Sequence, residues 1–258
     1  MDEGGIRVLE AVDISLSFPV NGNSVAKEVL NHINVTLEPG KFYAITGPNG
    51  GGKTSLAKVI MGIYQPSGGR LYYKGEDITE LSVTERARRG IAYAFQQPPR
   101  FKGLRVRDLL RIANHDLDEA ALHGLLRNVG LCFEDYIDRE VDASLSGGEM
   151  KRIEIATLLA RQGEMTIYDE PEAGVDLWTF HQLVNVIINQ HHKRQGTTLV
   201  ITHNERFLMA ADEVMLVADG EIRERGKVDK IWPLIKDDYN CQWRNQCGGE
   251  TNDPNCIR

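Results

Sequence analysis

Several short segments of this chain carry residues whose types and spacing suit phosphate chemistry. Gly47-Pro48-Asn49-Gly50-Gly51-Gly52-Lys53-Thr54-Ser55 has the G-x-x-x-x-G-K-[ST] spacing of a phosphate-binding loop. Its glycines let successive backbone N–H groups curl around phosphate oxygens where a Cβ would collide. A helix beginning at Lys53 would aim its positive end at the same oxygens. Lys53 would reach the outer phosphates as a point charge, and the Thr54 hydroxyl would ligate Mg2+. Farther on, Asp169 ends an apolar run, where a carboxylate can hold Mg2+ at the carboxyl edge of a sheet. Glu170 follows it, placed to act as general base for an attacking water. Gln96, after Phe95 and before Gln97-Pro98-Pro99, and His203, after Leu199-Val200-Ile201-Thr202, close two further apolar runs. Ser146-Gly147-Gly148 opens a helix and offers a hydroxyl and bare amides, which together make an anion site.

The whole chain limits what this chemistry can serve. At 258 residues, with 41% apolar and 26% charged residues, it has the size and composition of one globular domain. No apolar run approaches the ~20 residues that span a bilayer, and Met1-Asp2-Glu3-Gly4-Gly5 lacks the features of a signal peptide. A cytoplasmic location without direct membrane insertion is expected, with any membrane role exercised through a partner. The net charge of −7 argues against nucleic acid as the main partner. Arg86, Arg88 and Arg89 read as the solvated face of a short helix, and His191 and His192 as a solvated helix end. Cys241, Cys247 and Cys256 fall in the last eighteen residues. Their spacing is that of neither a zinc finger nor a ferredoxin, which leaves an incidental tail or a metal contact.

Elements able to position the motifs can be read from periodicity. Ile6–Phe18 and Val29–Leu37, either side of an Asn21-Gly22-Asn23 turn, predict an antiparallel pair. Phe42–Thr46 predicts a buried strand leading into the phosphate loop, followed by a helix from Thr54 to Met61. Leu71–Tyr73 predicts another strand, Ser82-Val83-Thr84-Glu85 a capping box, and Ile91–Phe95 a strand ending at Gln96. Leucines at helical spacing predict helix from Arg105 to about Gly130. From Ser146 on, helices alternate with strands at 165–168, 198–202 and 214–218, as in a parallel sheet with crossover helices. The predicted class is α/β, with a single domain over 1–236, a helical insertion at about 98–145, and a polar tail at 237–258.

Leu145-Ser146-Gly147-Gly148-Glu149, lying between the phosphate loop and the acidic pair, resembles the signature of ATP-binding cassette (ABC) proteins. The resemblance covers about residues 5–235. It implies a RecA-like parallel-sheet core, an N-terminal antiparallel β subdomain and an inserted helical subdomain, with ATP and Mg2+ as cofactors. Gln96 is then similar to the Q-loop glutamine that touches Mg2+ and the attacking water, and His203 to the switch histidine at the γ-phosphate. Phe18 is similar to the aromatic that stacks on adenine, although tyrosine is commoner there. Ala173-Gly174-Val175-Asp176 is similar to the D-loop that crosses the dimer seam; Asp176 also suits a plain helix N-cap. Such a signature closes over the ATP of a second copy, which implies two composite sites in a C2 dimer. Glu149 stands where transporters usually carry Gln.

Within that superfamily the chain resembles the SufC-type ATPases of the SUF iron–sulfur cluster assembly system. Phe95-Gln96-Gln97-Pro98-Pro99-Arg100-Phe101, Ser146–Arg152 and Asp169–Asp176 carry this likeness. It implies a SufB-like, possibly also a SufD-like, β-helix scaffold as partner, contacted around Arg100–Arg107. The alternative is the ATP-binding subunit of a membrane ABC transporter.

Overall fold

The computed structural model describes residues 7–19 and 26–239. Two long strands, β1 (Leu9–Pro19) and β2 (Ala26–Leu37), run antiparallel. Along β1 the side chains of Leu9, Ala11, Ile14 and Leu16 are buried, the alternation of a strand with one face against a core. β3 (Phe42–Thr46) is buried along its whole length and runs into the phosphate loop and α1 (Lys53–Met61). β4 (Gly68–Tyr73) and β5 (Glu76–Asp77) return to the first sheet, whose order is β2-β1-β4-β5. α2 (Val83–Arg88) opens on the expected capping box between Ser82 and Glu85 and leads to β6 (Ile91–Ala94).

The helical insertion is less regular than the leucine spacing predicts. β7 (Phe101–Arg105) precedes α3 (Val106–Ala113), α4 (Glu119–Asn128), α5 (Phe133–Tyr136) and β8 (Glu140–Val141), and β7 pairs with β8 at Phe101 and Val141. The single helix expected over 105–130 is therefore two. Asn114 takes an extended backbone and accepts from Asp116 N–H at 3.0 Å, and Asp118 caps α4 through Ala121 N–H. Asn and Asp side chains compete with helical hydrogen bonds in this way. The leucines stay in register because both helices pack on α6 (Gly147–Arg161).

The remaining elements are β9 (Met165–Asp169), α7 (Leu177–Arg194), β10 (Thr197–Ile201), α8 (Glu205–Ala210), β11 (Glu213–Ala218), β12 (Glu221–Gly226) and α9 (Val228–Tyr239). The second sheet has the order β12-β11-β3-β10-β9-β6, parallel except for β12. β12 and α9 have no counterpart in the sequence reading. The charged run Glu221-Ile222-Arg223-Glu224-Arg225 hides a strand because an edge strand needs little apolar surface, and Pro233 lies inside α9. Strand alternation divides the interior. Tyr43, Ile45, Leu199 and Ile201 face the antiparallel sheet and α1, while Phe42 and Val200 face the helical insertion and α6. No helix among the described residues is long and apolar enough to cross a membrane. The cysteine tail, residues 241–256, lies outside the described residues.

Two polar side chains read as solvated are buried. His191 packs edge-on against Phe42 at 5.2 Å and shares a hydrogen bond with Thr198 Oγ1 at 3.1 Å, while His192 is exposed. Arg86 is fully buried, unlike Arg88 and Arg89. Its guanidinium donates to the carbonyls of Val59 (2.6 Å), Ile60 (2.9 Å), Thr79 (2.7 Å) and Leu81 (3.0 Å). At the C-terminus of α1 the cation joins the Gly62 N–H on Val59 O and answers the Ile60 carbonyl, and burial pulls its pKa down to about 10. Arg86→Met would remove this donor from all four carbonyls, of which Val59 O would keep the Gly62 N–H. The expected loss of unfolding free energy is about 3 kcal/mol, read as a lower denaturant midpoint at unchanged m-value.

Candidate functional site

Adjacency within the parallel sheet brings the dispersed motifs together. β3, β10, β9 and β6 are neighbours, with Ile45, Ile201 and Asp169 abreast and Ala94 opposite Tyr168. The residues that follow these strands therefore emerge at one carboxyl edge, the usual ligand crevice of such sheets. They are the phosphate loop, His203, Glu170 and Gln96.

The phosphate loop has the shape its glycines allow. Gly47, Gly50 and Gly52 have φ of 137°, 81° and 104°, values that favour glycine. A Cβ at Gly47 would lie 2.0 Å from Val217 O, and one at Gly52 would lie 2.9 Å from Val29 O. The β11–β12 turn braces the loop, with Gly220 N–H donating to Gly51 O at 3.0 Å. Asn49 and Gly50 are exposed at its tip, and Ser55 is half-buried in the first turn of α1. Lys53 is buried and donates to Gly47 O (2.7 Å) and Pro48 O (2.9 Å). Desolvation lowers its pKa, opposed by the charges of Glu170 and Asp169.

Asp169 is buried between two hydroxyls. Thr54 Oγ1 donates to its Oδ1 at 2.9 Å and Tyr93 OH to its Oδ2 at 2.7 Å. Burial raises its pKa, and the two hydrogen bonds oppose that shift. The oxygens of Thr54 and Asp169 form the hard donor set that Mg2+ prefers. Together with a glycine cradle at a helix N-terminus, they fit a magnesium-bound nucleotide. Tyr93 was not foreseen; its signal is a lone hydroxyl in the otherwise apolar run Ile91-Ala92-Tyr93-Ala94.

Beyond Asp169 the chain turns sharply. Glu170 has φ of 45° and donates its N–H to Ile201 O at 3.0 Å. Its carboxylate accepts from Gln96 Nε2 at 2.5 Å, so the two lie side by side. Glu172, within the Asp169–Asp176 segment, holds the histidine segment. Its Oε1 accepts from Thr202 Oγ1 at 2.6 Å and His203 N–H at 3.1 Å, and burial raises its pKa. His203 is held below the usual imidazole range, first by desolvation and then by the Lys53 charge.

Phe18 is 38% exposed, not a core residue, and meets Tyr64 edge-on at 5.2 Å. The signature opens α6 with a complete capping box. Ser146 N–H donates to Glu149 Oε2 at 2.7 Å, and Glu149 N–H returns to Ser146 Oγ at 3.3 Å. Tyr136 OH also bonds Glu149, the largest of the effects that pull its pKa down to about 2. A Cβ on Gly147 would lie 3.6 Å from Gly174 O, and one on Gly148 would meet nothing within 4 Å. Asp176 caps α7, accepting from Thr179 N–H at 2.9 Å. An apolar groove of about 570 Å³ separates the core from the helical insertion, lined in part by Phe95, Pro98, Phe101, Leu104 and Ile112. A cavity of about 630 Å³ at the opposite sheet edge contains none of the motif residues.

The ABC transporter family model matches residues 30–173. An uncharacterized ABC transporter ATP-binding protein of Methanocaldococcus jannaschii is 38% identical over 220 residues, covering 81% of this chain and 87% of that protein. A probable ATP-dependent transporter of Synechocystis is 33% identical over 242 residues, covering 88% and 93%. A dimeric ATP-binding cassette solved in a post-hydrolysis state with ADP and Pi shares the fold, with a TM-score of 0.75 at 21% identity over 85% of this chain and 98% of that one.

The contact between Tyr93 and Asp169 can be tested directly. Tyr93→Phe removes a hydrogen bond that holds the Asp169 pKa down, so that pKa should rise further. The acid limb of the kcat/KM profile for ATP is expected to move to higher pH, and kcat/KM at pH 7 to fall about tenfold.

Proposed function

The chain belongs to the ABC transporter ATPase family, and we propose that within it the protein acts as a SufC-type subunit. It would close with a second copy of itself over ATP and drive a conformational change in a SufB-like, or SufB- and SufD-like, β-helix scaffold that assembles iron–sulfur clusters. Family membership makes it an ATPase that binds ATP with Mg2+. The observation that carries the finer reading is that each segment resembling SufC makes a specific contact. Gln96 meets Glu170, Glu149 joins Ser146 to Tyr136, and Glu172 holds His203. The exposed faces on the groove of Phe101, within the Arg100–Arg107 region, and of Ile112, beyond it, would supply an apolar docking surface for the scaffold beside Gln96. A membrane-transporter partner is the second reading, supported by the names of the M. jannaschii and Synechocystis relatives.

In the mechanism this implies, Lys53 exchanges the carbonyls of Gly47 and Pro48 for the outer phosphates. The backbone N–H groups from Gly47 to Ser55, with Asn49 contributing one and Pro48 none, wrap the phosphates, and Phe18 stacks on adenine. Thr54, Asp169 and Gln96 are the residues that would hold Mg2+, whose charge offsets that of the phosphates. Glu170 takes the proton of the attacking water, a contribution of about 10²–10⁴ in rate. His203, neutral at pH 7, donates a hydrogen bond to the γ-phosphate. Ser146, Gly147 and Gly148 of one copy face the ATP of the other, and Asp176 lies at the seam between them.

Two experiments test this. Glu170→Gln should bind ATP with near-normal affinity, hydrolyse it about 10²–10⁴ times more slowly and accumulate as a dimer in size-exclusion chromatography. Adding Ser146→Arg should return it to monomer, and a persistent dimer would refute the trans site. Affinity purification from native lysate should recover a soluble β-helix scaffold, lost with Phe101→Ala and Arg105→Ala. Recovery of a membrane-spanning protein instead would decide for the transporter reading.

A further inference from the structure

Near the start of α6, Lys151 and Glu154 turn inward to the end of β6. Lys151 is fully buried, the Glu154 side chain is only 11% exposed, and their charged atoms lie 3.2 Å apart. Together they take both backbone polar groups of Phe95. Phe95 N–H donates to Glu154 Oε1 at 2.8 Å, and Lys151 Nζ donates to Phe95 O. Glu154 Oε2 meets the ammonium without hydrogen-bond geometry, so the pair is arranged around Phe95 more closely than around itself. Buried ion pairs are poor sources of stability, because desolvating two charges offsets their attraction. A fixed geometry for Phe95 is what this pair delivers. Phe95 is bonded directly to Gln96, whose amide reaches Glu170.

We propose that Lys151 and Glu154 are positioning residues for hydrolysis. They grip Phe95 from the signature helix, so that a rotation of the helical insertion carries Gln96 toward or away from Glu170. Phe95 and Glu154 also line the apolar groove, which places the grip where an occupant of that groove would press. The proposal rests on Gln96 acting at the reacting phosphate.

A double-mutant cycle in the full-length protein tests it. Lys151→Met/Glu154→Gln removes both charges together, leaving no buried charge unpaired, and keeps an acceptor for Phe95 N–H. It should lower kcat about tenfold, as misplacement of a group at a reacting centre does. KM and the affinity for a fluorescent ATP analogue should stay within about twofold, because the grip touches no nucleotide-binding group. On a Gln96→Ala background the same pair should cause no further loss, since residues acting through one another are not additive. Losses that multiply with that of Gln96→Ala would overturn the proposal. Full activity in Gln96→Ala alone would instead show that the assignment of Gln96 had failed, leaving the grip nothing to position.

Discussion

The carboxylate of Asp169 sits where three parts of the molecule meet: the helix of the phosphate loop through Thr54, β6 through Tyr93, and its own strand β9. A buried carboxylate is tolerated only when such partners satisfy it. The parallel register is what supplies them, by setting Asp169 beside Ile201 and one position beyond the Tyr168–Ala94 pair. A slip of one residue in β9 would turn Asp169 to the opposite face and separate it from both hydroxyls. Glu170, the left-handed turn after it and the approach of Gln96 all follow from this placement.

The signature combines two demands on one hydroxyl. Ser146 Oγ accepts from Glu149 N–H within its own capping box, and its O–H proton is not used in that bond. Glu149 is an acid in the first turn of α6. Tyr136, Arg139 and the Ser146 backbone engage its charge, while Glu149 N–H is taken up by the capping box. The same helix packs on α3 and α4 and, through Lys151 and Glu154, on the end of β6. One helix thus connects the Ser146-Gly147-Gly148 segment with the loop that carries Gln96.

The phosphate loop was legible because it is contiguous: nine residues contain the glycines, the lysine and the threonine, and the apolar run before them is a strand. The acidic pair, Gln96 and His203 were legible because each lies at the end of a strand that is almost wholly buried, or within two residues of it. Such strands read as unbroken apolar runs. The break at Asn114–Asp118 escaped notice because leucine spacing is the same in one long helix as in two short ones packed on a common neighbour. β12 escaped because its charged residues suit an edge, where burial leaves no pattern.

Residue type and local spacing were therefore enough to determine the α/β class, the strand ends that bear the motifs and the phosphate chemistry they suit. Tertiary structure alone decided which side chains hold those motifs in place. Tyr93 meets Asp169 across 76 residues, Lys151 meets Phe95 across 56, Glu172 meets His203 across 31 and Arg86 meets Val59 across 27. Periodicity reports whether a side chain faces inward, but a polar group's partner is set by strand order, register and the packing of distant elements. For that reason Arg86 and His191, read as solvated from their polar neighbours, are both buried.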